Sequence, residues 1–235
     1  MIKGTTTTST LSSLGLPIAT DLQSDIYLMD CMEAMRQYPD NYFDLAVVDP
    51  PYGIDITKDL TKDNSQNKSF MGCSKSIIQG KHWDKSIPNK EYFNELKRVS
   101  KNQIIWGGNY FLDYLNNTRC FCVWDKMNGT NSMADAEIAW TSFDSSVRMF
   151  RMHHFSSGYG SKIHPTQKPV KLYDWIFKNY AEPGQKILDT HLGSGSSRIS
   201  AHKAGLNFTG FELDADYFAA SEKRFKEYVA QMRLF

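Results

Sequence analysis

Strand-like and helix-like segments alternate along this chain, and that alternation restricts the fold more than any other feature. FDLAVVD (43–49) and NFTGFELD (207–214) have the apolar character of buried strands, whereas NKEYFNELKRVS (89–100) and VKLYDWIFKNYA (170–181) have a helical pattern. The alternation favours an α/β fold with a largely parallel sheet covered by helices on both faces. We predict further strands at 25–30, 102–108, 119–126, 136–143, 147–155 and at the start of 185–197, and further helices at 31–39, 109–116, 197–205 and 216–231.

The length of 235 residues suits one large α/β domain, with two small domains as the alternative. Residues 1–24 are rich in Thr and Ser, and we expect a flexible arm there. We assign residues 25–235 to one domain. Within it, residues 54–86 are polar and Lys-rich without sustained periodicity, and a loop of that length in a compact domain is usually functional or disordered.

Composition argues against several classes of protein. Hydrophobic residues make up 41% of the chain, enough for a sizeable core, and the net charge of +1 produces no general attraction to nucleic acids. The four cysteines include no Cys-x-x-Cys pair, which argues against zinc ribbons and fits a reducing cytosol. No apolar run is long enough to span a bilayer, and the N-terminus has no secretory pattern. We therefore expect a cytoplasmic protein without a membrane partner or a metal.

The segment ILDTHLGSGSS (187–197) has the pattern of a site for a nucleoside-containing cofactor. Asp189 ends a strand, Gly193 and Gly195 form a tight turn before a helix, and Glu212 ends the next strand. Glycine lets a ligand approach the backbone closely, and the second acid can accept both ribose hydroxyls. The alternative is an ordinary strand–helix turn with an unrelated surface glutamate.

Arg198 argues against a nicotinamide cofactor at this turn. The dinucleotide fingerprint needs a third Gly or Ala where this chain has Arg198, so pyrophosphate binding is disfavoured. A cofactor without phosphates, such as S-adenosylmethionine, tolerates that change.

The motif Asp49-Pro50-Pro51-Tyr52 follows a buried strand directly. An exocyclic amine on a nucleobase is a poor nucleophile, and it can attack a methyl group when its two N–H bonds find acceptors. The Asp49 carboxylate and the Pro50 carbonyl, held by the rigid prolines, would supply them. Tyr52 would stack on a base flipped out of a duplex, and the site would act by positioning and electrostatics. The alternative is that the prolines merely end the strand and Asp49 caps a turn.

Five motifs in this order resemble those of the amino-group DNA methyltransferases, over nearly the whole chain from about residue 25. They are Asp49-Pro50-Pro51-Tyr52, QIIWGGNYF (103–111), VWDK (123–126), HPTQKP (164–169) and LDTHLGSGS (188–196). The first motif precedes the glycine turn, which resembles the circularly permuted β group of the family. The resemblance implies a Rossmann-like, mostly parallel seven-stranded sheet with helices on both faces, and S-adenosylmethionine as the cofactor.

The resemblance also implies roles for the residues that match these motifs. Asp49, Pro50, Pro51 and Tyr52 would form the catalytic motif. The cofactor-binding residues would be Asp30 near the adenine, Glu212 at the ribose, Asp189, His191, Gly193, Ser194, Gly195 and Ser196 in the glycine turn, and His164, Thr166 and Lys168 near the methionine end. For His164 and Lys168 a surface role is the alternative.

An Asp at the first position of the motif resembles the adenine-N6 enzymes, whereas cytosine-N4 enzymes usually carry Ser there. We therefore expect site-specific methylation of N6 on a flipped adenine in double-stranded DNA, as in restriction–modification. The alternatives are cytosine N4, a base in RNA, a catalytically silent DNA-binding partner, and a nucleotide-dependent oxidoreductase. Cytosine-C5 chemistry is disfavoured, because it needs a cysteine that typically follows proline and the chain has no Pro-Cys dipeptide. The family resemblance also implies a possible homodimer.

His191 departs from the family pattern, which usually has Phe at this position. An imidazole can still pack against the cofactor, but it is polar and can carry a charge. We therefore predict weaker or more pH-sensitive cofactor binding than Phe would give.

Members of the family that the chain resembles usually carry a sizeable target-recognition region between VWDK and HPTQKP. Only residues 127–163 are available for it here, so the DNA-reading region is small or lies elsewhere. We predict that the 54–86 loop contacts DNA, since lysines suit phosphate contacts and aromatic residues suit stacking. Its relevant residues are Lys58, Lys62, Lys68, Phe70, Lys75, Lys81, Trp83 and Lys85, and a second basic stretch contains Arg148, Arg151, His153, His154 and Lys162. The alternative is ordinary solvated charge.

Overall fold

Strands and helices alternate along the part of the chain that the computed structural model describes, which is residues 2–3, 22–55, 69–70, 73–74, 83–129, 134–153 and 162–232. The strands are β1 (Ile2–Lys3), β2 (Ser24–Leu28), β3 (Phe43–Val48), β4 (Ser69–Phe70), β5 (Cys73–Ser74), β6 (Ser100–Trp106), β7 (Phe121–Asp125), β8 (Ala136–Thr141), β9 (Arg148–Arg151), β10 (Lys186–Asp189) and β11 (Asn207–Glu212). The helices are α1 (Cys31–Met35), α2 (Lys90–Val99), α3 (Val170–Tyr180), α4 (Ser196–Lys203) and α5 (Ala215–Met232). None of these helices is long and apolar enough to cross a membrane.

Nine of the described strands form one sheet, in the order β1-β2-β11-β10-β3-β6-β8-β7-β9. Strands β2, β11, β10, β3 and β6 are parallel to one another, and β9 is parallel to β7. The pairs β1–β2, β6–β8 and β7–β8 are antiparallel. The predicted α/β fold with a mostly parallel sheet is therefore confirmed. The sheet is wider than the predicted seven strands, because β1 and β9 extend its two edges.

The central strands are apolar along their length because helices cover both faces of the sheet. In β3, Val47 belongs to one hydrophobic cluster together with Ile176 of α3. The next residue, Val48, belongs to a second cluster together with Leu96 of α2. Successive side chains of a strand point to opposite faces, so each face of the sheet has its own core. The prediction of helices on both faces is confirmed.

Two predicted helices differ from the structure. The helix predicted at 31–39 ends at Met35, well before Pro39. The segment 109–116 forms no α-helix, and instead a single 3-10 turn covers Gly108–Tyr110. Gly107 starts this turn in a left-handed conformation with φ of 68°, and Phe111 is buried behind it. The apolar residues of this segment therefore anchor a tight turn and do not form one face of a helix.

Arg198 has a structural role that explains its departure from the dinucleotide fingerprint. Its side chain is fully buried, pairs with Glu222 of α5, and donates to the hydroxyl and carbonyl oxygens of Ser24 at 2.9 and 3.0 Å. The guanidinium also lies 3.9 Å from the centre of the Phe225 ring. A buried cation needs such partners to offset its lost hydration. Arg198 thus joins α4 to α5 and to the start of β2.

The carboxyl ends of the parallel strands lie along one edge of the sheet. Asp30 follows β2, Glu212 ends β11, Asp189 ends β10 and Asp49 follows β3, and these four strands are adjacent in that order. Ligands of open α/β sheets bind outside the carboxyl ends of the strands. The strand order therefore gathers four carboxylates from distant parts of the sequence at the edge where a ligand would bind.

Candidate active site

Two cavities open at this edge of the sheet and share a wall. The first cavity has a volume of about 410 Å³ and is lined by Tyr52, Tyr110 and Glu137 among other residues. The second cavity has a volume of about 450 Å³ and is lined by Asp30, His191 and other residues. The residues that line both cavities are Asp49, Pro51, Trp83, Thr166, Gln167 and Lys168. Groups bound in the two cavities would therefore meet at Asp49.

Asp49 is held by two donors at the shared wall. Its Oδ1 accepts a hydrogen bond from the Tyr52 hydroxyl at 2.6 Å, and its Oδ2 lies 2.5 Å from the Lys168 ammonium nitrogen. Lys168 is only 4% exposed, and its Nζ also lies 3.0 Å from Glu137 Oε2 and 3.2 Å from the Tyr52 hydroxyl. Glu137 in turn pairs with Lys126 at 2.6 Å. These five side chains form one buried network of charges and hydrogen bonds.

Burial and the neighbouring charges act in opposite directions in this network. Burial raises the pKa of Asp49, and Lys168 offsets only part of that effect. Burial would also raise the pKa of Glu137, but Lys168 and Lys126 outweigh it and lower that pKa to about 2. The pKa of Lys168 rises although burial opposes this, because Asp49 and Glu137 both favour the ammonium form. Lys168 therefore favours the ionised form of both carboxylates.

The Tyr52 ring is fixed between a hydrogen-bonded turn and a second aromatic ring. Asp84 Oδ1 accepts from the backbone N–H groups of Tyr52 and Gly53 at 2.8 and 2.9 Å. The ring stacks on Tyr110 with 4.8 Å between centroids and an interplanar angle of 11°. Burial and the adjacent Asp49 raise the pKa of Tyr52 well above its usual range, so its hydroxyl stays protonated as a donor. The first cavity thus presents flat aromatic surface beside a carboxylate, as a planar heterocycle requires.

Gly107 packs directly against the Tyr52 ring. A Cβ atom built at Gly107 would lie 2.2 Å from a Tyr52 ring carbon, and the left-handed backbone adds strain for any other residue. We predict that Gly107→Ala displaces Tyr52, lowers the catalytic rate at least about tenfold, and lowers the melting temperature. The rate and the melting temperature are measured on the purified chain. Gly184→Ala is the matched control, because Gly184 also has a positive φ of 85° but no atom within 4 Å of its Cβ position. Equal effects of both substitutions on the catalytic rate would contradict the prediction.

The second cavity is built on the glycine turn and on Glu212. Gly193 has a positive φ of 51°, and its N–H donates to Glu212 Oε2 at 2.8 Å. Glu212 Oε1 accepts from the N–H groups of Leu213 and Asp214 at 3.0 and 2.9 Å. Asp30 caps α1, since its Oδ1 accepts from the N–H of Met32 at 2.7 Å. The two carboxylates are thus held in fixed orientations at the cavity lining, as a nucleoside site requires.

His164 forms the side of the second cavity that faces α5. Its Nδ1 lies 3.1 Å from the Thr166 hydroxyl, and its ring lies 4.4 Å from the Tyr217 ring and 5.1 Å from the Trp83 ring, centre to centre. Burial lowers the pKa of His164 to about 3, so the imidazole is neutral at physiological pH. A neutral ring suits a position beside a cationic sulfonium.

Two buried donors at the shared wall have no partner among the described residues. They are Trp83 Nε1 and Gln167 Nε2. The orientation of the Gln167 amide is fixed, because its Oε1 accepts from the backbone N–H of Ile163 at 3.1 Å. Unsatisfied buried donors are costly, and the position of these two between the cavities makes them available to a bound ligand.

Most of the predicted site residues lie together. All four residues of the predicted catalytic motif line the first cavity. The predicted cofactor residues that line the second cavity are Asp30, His164, Thr166, Lys168, His191, Gly193, Ser194, Ser196 and Glu212.

Two of the predicted cofactor residues do not line the second cavity. Asp189 lies behind it, where its carboxylate accepts from the His191 N–H at 3.1 Å and from the Ser197 hydroxyl at 2.6 Å. Gly195 precedes α4 with a positive φ. Both residues shape the turn from behind.

Sequence reasoning missed several residues of the site. Glu137, Lys126, Asp84, Tyr110 and Tyr217 line the two cavities but were not predicted to. Glu137 did have a signal, since it is a lone carboxylate within the otherwise apolar strand AEIAW. Asp84 and Tyr217 had none, because they contact the site only through the tertiary fold.

Most of the predicted DNA-contacting loop lies outside the described residues, including Lys58, Lys62, Lys68, Lys75 and Lys81, as does His154. Trp83 lines both cavities, and Lys85 is exposed. In the second basic stretch, Arg148 and Arg151 are exposed on β9, at the edge of the sheet.

Comparisons with known proteins agree with this geometry. A family profile described as DNA methylase matches residues 113–223. The type II methyltransferase M.HinfI of Haemophilus influenzae is 24% identical over 88% of this chain and 69% of its own length. The solved M1.HpyAVI–SAM complex superposes with a TM-score of 0.54 at 16% identity, covering 85% of this chain and 98% of that one. The cytosine-N4-specific PvuII DNA methyltransferase gives a TM-score of 0.52 at 14% identity, covering 88% and 91%. At these identities the two structures establish a shared fold.

Proposed function

We propose that the chain is an amino-group DNA methyltransferase and that it methylates N6 of an adenine flipped out of double-stranded DNA, with S-adenosylmethionine as the methyl donor. One observation carries the proposal. Asp49 lies in the wall shared by a cavity with aromatic lining and a cavity with nucleoside-type carboxylates. A methyl group that passes between groups bound in the two cavities would pass beside Asp49.

The second cavity suits S-adenosylmethionine, which supplies an electrophilic methyl group when it is bound. Glu212 would accept from the ribose hydroxyls, and Asp30 would lie near the adenine. The turn at Gly193 would let the ligand approach the backbone. The neutral His164 adds no positive charge that would oppose a sulfonium. Arg198 is fully buried and lines neither cavity, which fits a cofactor without a pyrophosphate.

Asp49 and the Pro50 carbonyl would accept the two hydrogens of the target amine in the first cavity. Acceptors for both hydrogens let the nitrogen become tetrahedral and more nucleophilic. Tyr52 and Tyr110 would stack with the flipped base. The nitrogen acquires a positive charge as it takes the methyl group, whose bond to the sulfonium sulfur breaks, and it then loses one of its hydrogens. The Asp49 carboxylate would stabilise that charge and accept the proton.

Lys168 would help to free Asp49 when the base enters. In the structure Lys168 and Tyr52 each contact one oxygen of Asp49, and the amine can use a remaining lone pair of these oxygens or replace one of the two donors. Glu137 already lies 3.0 Å from Lys168 and can hold the ammonium as it leaves Asp49. Lys168 is therefore proposed as a positioning residue for Asp49, and not as a cofactor ligand.

Cytosine N4 is the second candidate target, because the chain has the same fold as a cytosine-N4-specific enzyme. Asp49 at the first motif position favours adenine by resemblance. The two are distinguished by incubating DNA with deuterium-labelled S-adenosylmethionine and digesting it to nucleosides for mass spectrometry. N6-methyladenine is expected. N4-methylcytosine would replace the adenine proposal, and label in RNA alone, or in neither polymer, would overturn the DNA methyltransferase proposal.

The base-reading and DNA-contacting roles of the 54–86 loop and of the Arg148–Lys162 stretch remain predictions. They are proposed because lysine, arginine and aromatic residues suit phosphate contacts and stacking. A homodimer also remains a proposal that rests on family resemblance alone.

The structure changes the prediction for His191. Burial lowers the pKa of His191 to about 4, against a small opposite effect of Asp30, so the ring is neutral above about pH 5. We now predict that the ratio of cofactor affinities of His191→Phe and the unaltered chain is constant between about pH 6 and 8. If the cofactor affinity of both proteins changes with pH in the same way, that change would come from other groups. One such group is Asp189, because burial raises its pKa to about 7. Calorimetric titrations at three pH values measure the ratio, and a ratio that changes with pH would restore the earlier prediction.

A further inference from the structure

A chain of three polar groups leads from the core to the second cavity. The Tyr92 hydroxyl of α2 lies 2.7 Å from Thr190 Oγ1, and Thr190 Oγ1 lies 2.9 Å from His191 Nδ1. Tyr92 and Thr190 are both buried, and Thr190 and His191 both line the cavity. The chain thus connects a helix in the core to the one residue of the glycine turn that departs from the family pattern.

The direction of the hydrogen bonds follows from the number of partners. Among the described residues, Thr190 is the single hydrogen-bond partner of the Tyr92 hydroxyl, so the buried phenol hydrogen has Thr190 Oγ1 as its acceptor. Thr190 then donates its own hydrogen to His191 Nδ1. The opposite direction would leave the Tyr92 hydrogen without an acceptor. A neutral imidazole that accepts at Nδ1 carries its hydrogen on Nε2.

The backbone of His191 is held as firmly as its side chain. The His191 N–H donates to Asp189 Oδ1 at 3.1 Å, and Asp189 Oδ2 accepts from Ser197 at 2.6 Å. The imidazole also meets the Tyr92 ring edge-on, with 5.5 Å between centroids. No described protein group accepts a hydrogen bond from Nε2. A polar hydrogen at the cavity lining is therefore available to a ligand.

We propose that Tyr92 and Thr190 are positioning residues that hold His191 in the Nε2–H form, and that this N–H donates to an acceptor on the nucleoside half of S-adenosylmethionine. The nucleoside half is assigned because His191 lines the cavity together with Asp30 and Glu212, the carboxylates expected at the adenine and the ribose. The inference rests on the proposed function and deepens it. A Phe at this position would pack against the ligand without donating a hydrogen bond.

A double-mutant cycle tests the connection between Thr190 and His191. The affinity for S-adenosylhomocysteine is measured by calorimetry for Thr190→Val, for His191→Phe and for the pair. Loss of one neutral hydrogen bond corresponds to about a three- to tenfold weaker affinity. We expect that loss for Thr190→Val in the unaltered chain and no further loss for Thr190→Val in the His191→Phe background. Thr190→Ser keeps the hydroxyl and is expected to retain the affinity of the unaltered chain.

Nitrogen-15 NMR of the His191 ring provides a second and independent measurement. The ring of the unaltered chain is expected to carry its hydrogen on Nε2 at neutral pH, and Tyr92→Phe is expected to reduce that preference. A hydrogen on Nδ1 in the unaltered chain would overturn the inference. The inference would also be overturned if Thr190→Val weakened the affinity equally in the unaltered chain and in the His191→Phe background, or if it weakened the affinity in neither. Failure of the unaltered chain to bind S-adenosylhomocysteine would instead refute the proposed function.

Discussion

Asp49→Ala is expected to lower the rate of DNA methylation at least about a hundredfold, because it removes the charge that stabilises the amine as it gains a methyl group. Cofactor affinity should change little, since the proposed cofactor contacts lie at the glycine turn and at Glu212. Single-turnover methylation of DNA measures the first quantity, and calorimetric titration with S-adenosylhomocysteine measures the second.

Asp144→Ala is the control for this substitution, because Asp144 is highly exposed and, among the described residues, pairs with Arg119 at the surface. It is expected to leave both quantities unchanged. If Asp49→Ala retained methylation within threefold of the unaltered chain, the proposed role of Asp49 would be wrong.

Lys168→Met is expected to destabilise the fold by about 3–5 kcal/mol, because it leaves Asp49 and Glu137 buried without their shared cation. It should also raise the pKa of Asp49 further, since burial already raises that pKa and Lys168 is the main group that opposes the rise. In the pH profile of the methylation rate, the acidic limb, where the rate falls as the pH is lowered, should therefore move to higher pH. Urea unfolding and single-turnover rates as a function of pH measure the two effects.

The sign of the pH dependence gives this prediction a further check. When folding raises the pKa of a carboxyl group, the folded protein becomes less stable as the pH rises above the pKa of about 4 that the group has in the unfolded chain. The loss of unfolding free energy caused by Lys168→Met should therefore be largest at neutral pH and become smaller towards pH 4. The double variant Lys168→Met with Glu137→Gln should be less destabilised than the sum of the two single variants. An unchanged acidic limb in Lys168→Met would exclude a role for Lys168 in setting the charge of Asp49.

The local elements of the fold could be predicted from the sequence because strand and helix periods are local signals. Asp49 and the glycine turn were predicted for the same reason, since each follows a buried strand directly. The contacts of Lys168 could not be predicted in this way. The residue lies in HPTQKP, far along the chain from Asp49. Its pairing depends on α3 packing against the sheet and on β8 lying in that sheet two positions from β3. The resemblance to the family suggested the cofactor as its partner, whereas the structure gives it two carboxylates.

The segment 109–116 illustrates a second limit of predicting the structure from the sequence. Its apolar residues repeat closely enough to suggest a helix, but the chain turns at Gly107 to pass over the Tyr52 ring. That requirement arises from the site and leaves no periodic trace in the segment. The short α1 is similar, because Asp30 sets its start through a cap but its end has no strong local signal.

The strand order also has a consequence for how the chain is made. β10 and β11, which come late in the sequence, insert between β2 and β3, which come early. During synthesis the edges of β2 and β3 that β10 and β11 cover in the folded chain therefore leave the ribosome unpaired. Such edges invite pairing with other nascent chains until β10 and β11 have been made. We expect truncated products of this chain to depend on chaperones and to aggregate when chaperones are scarce.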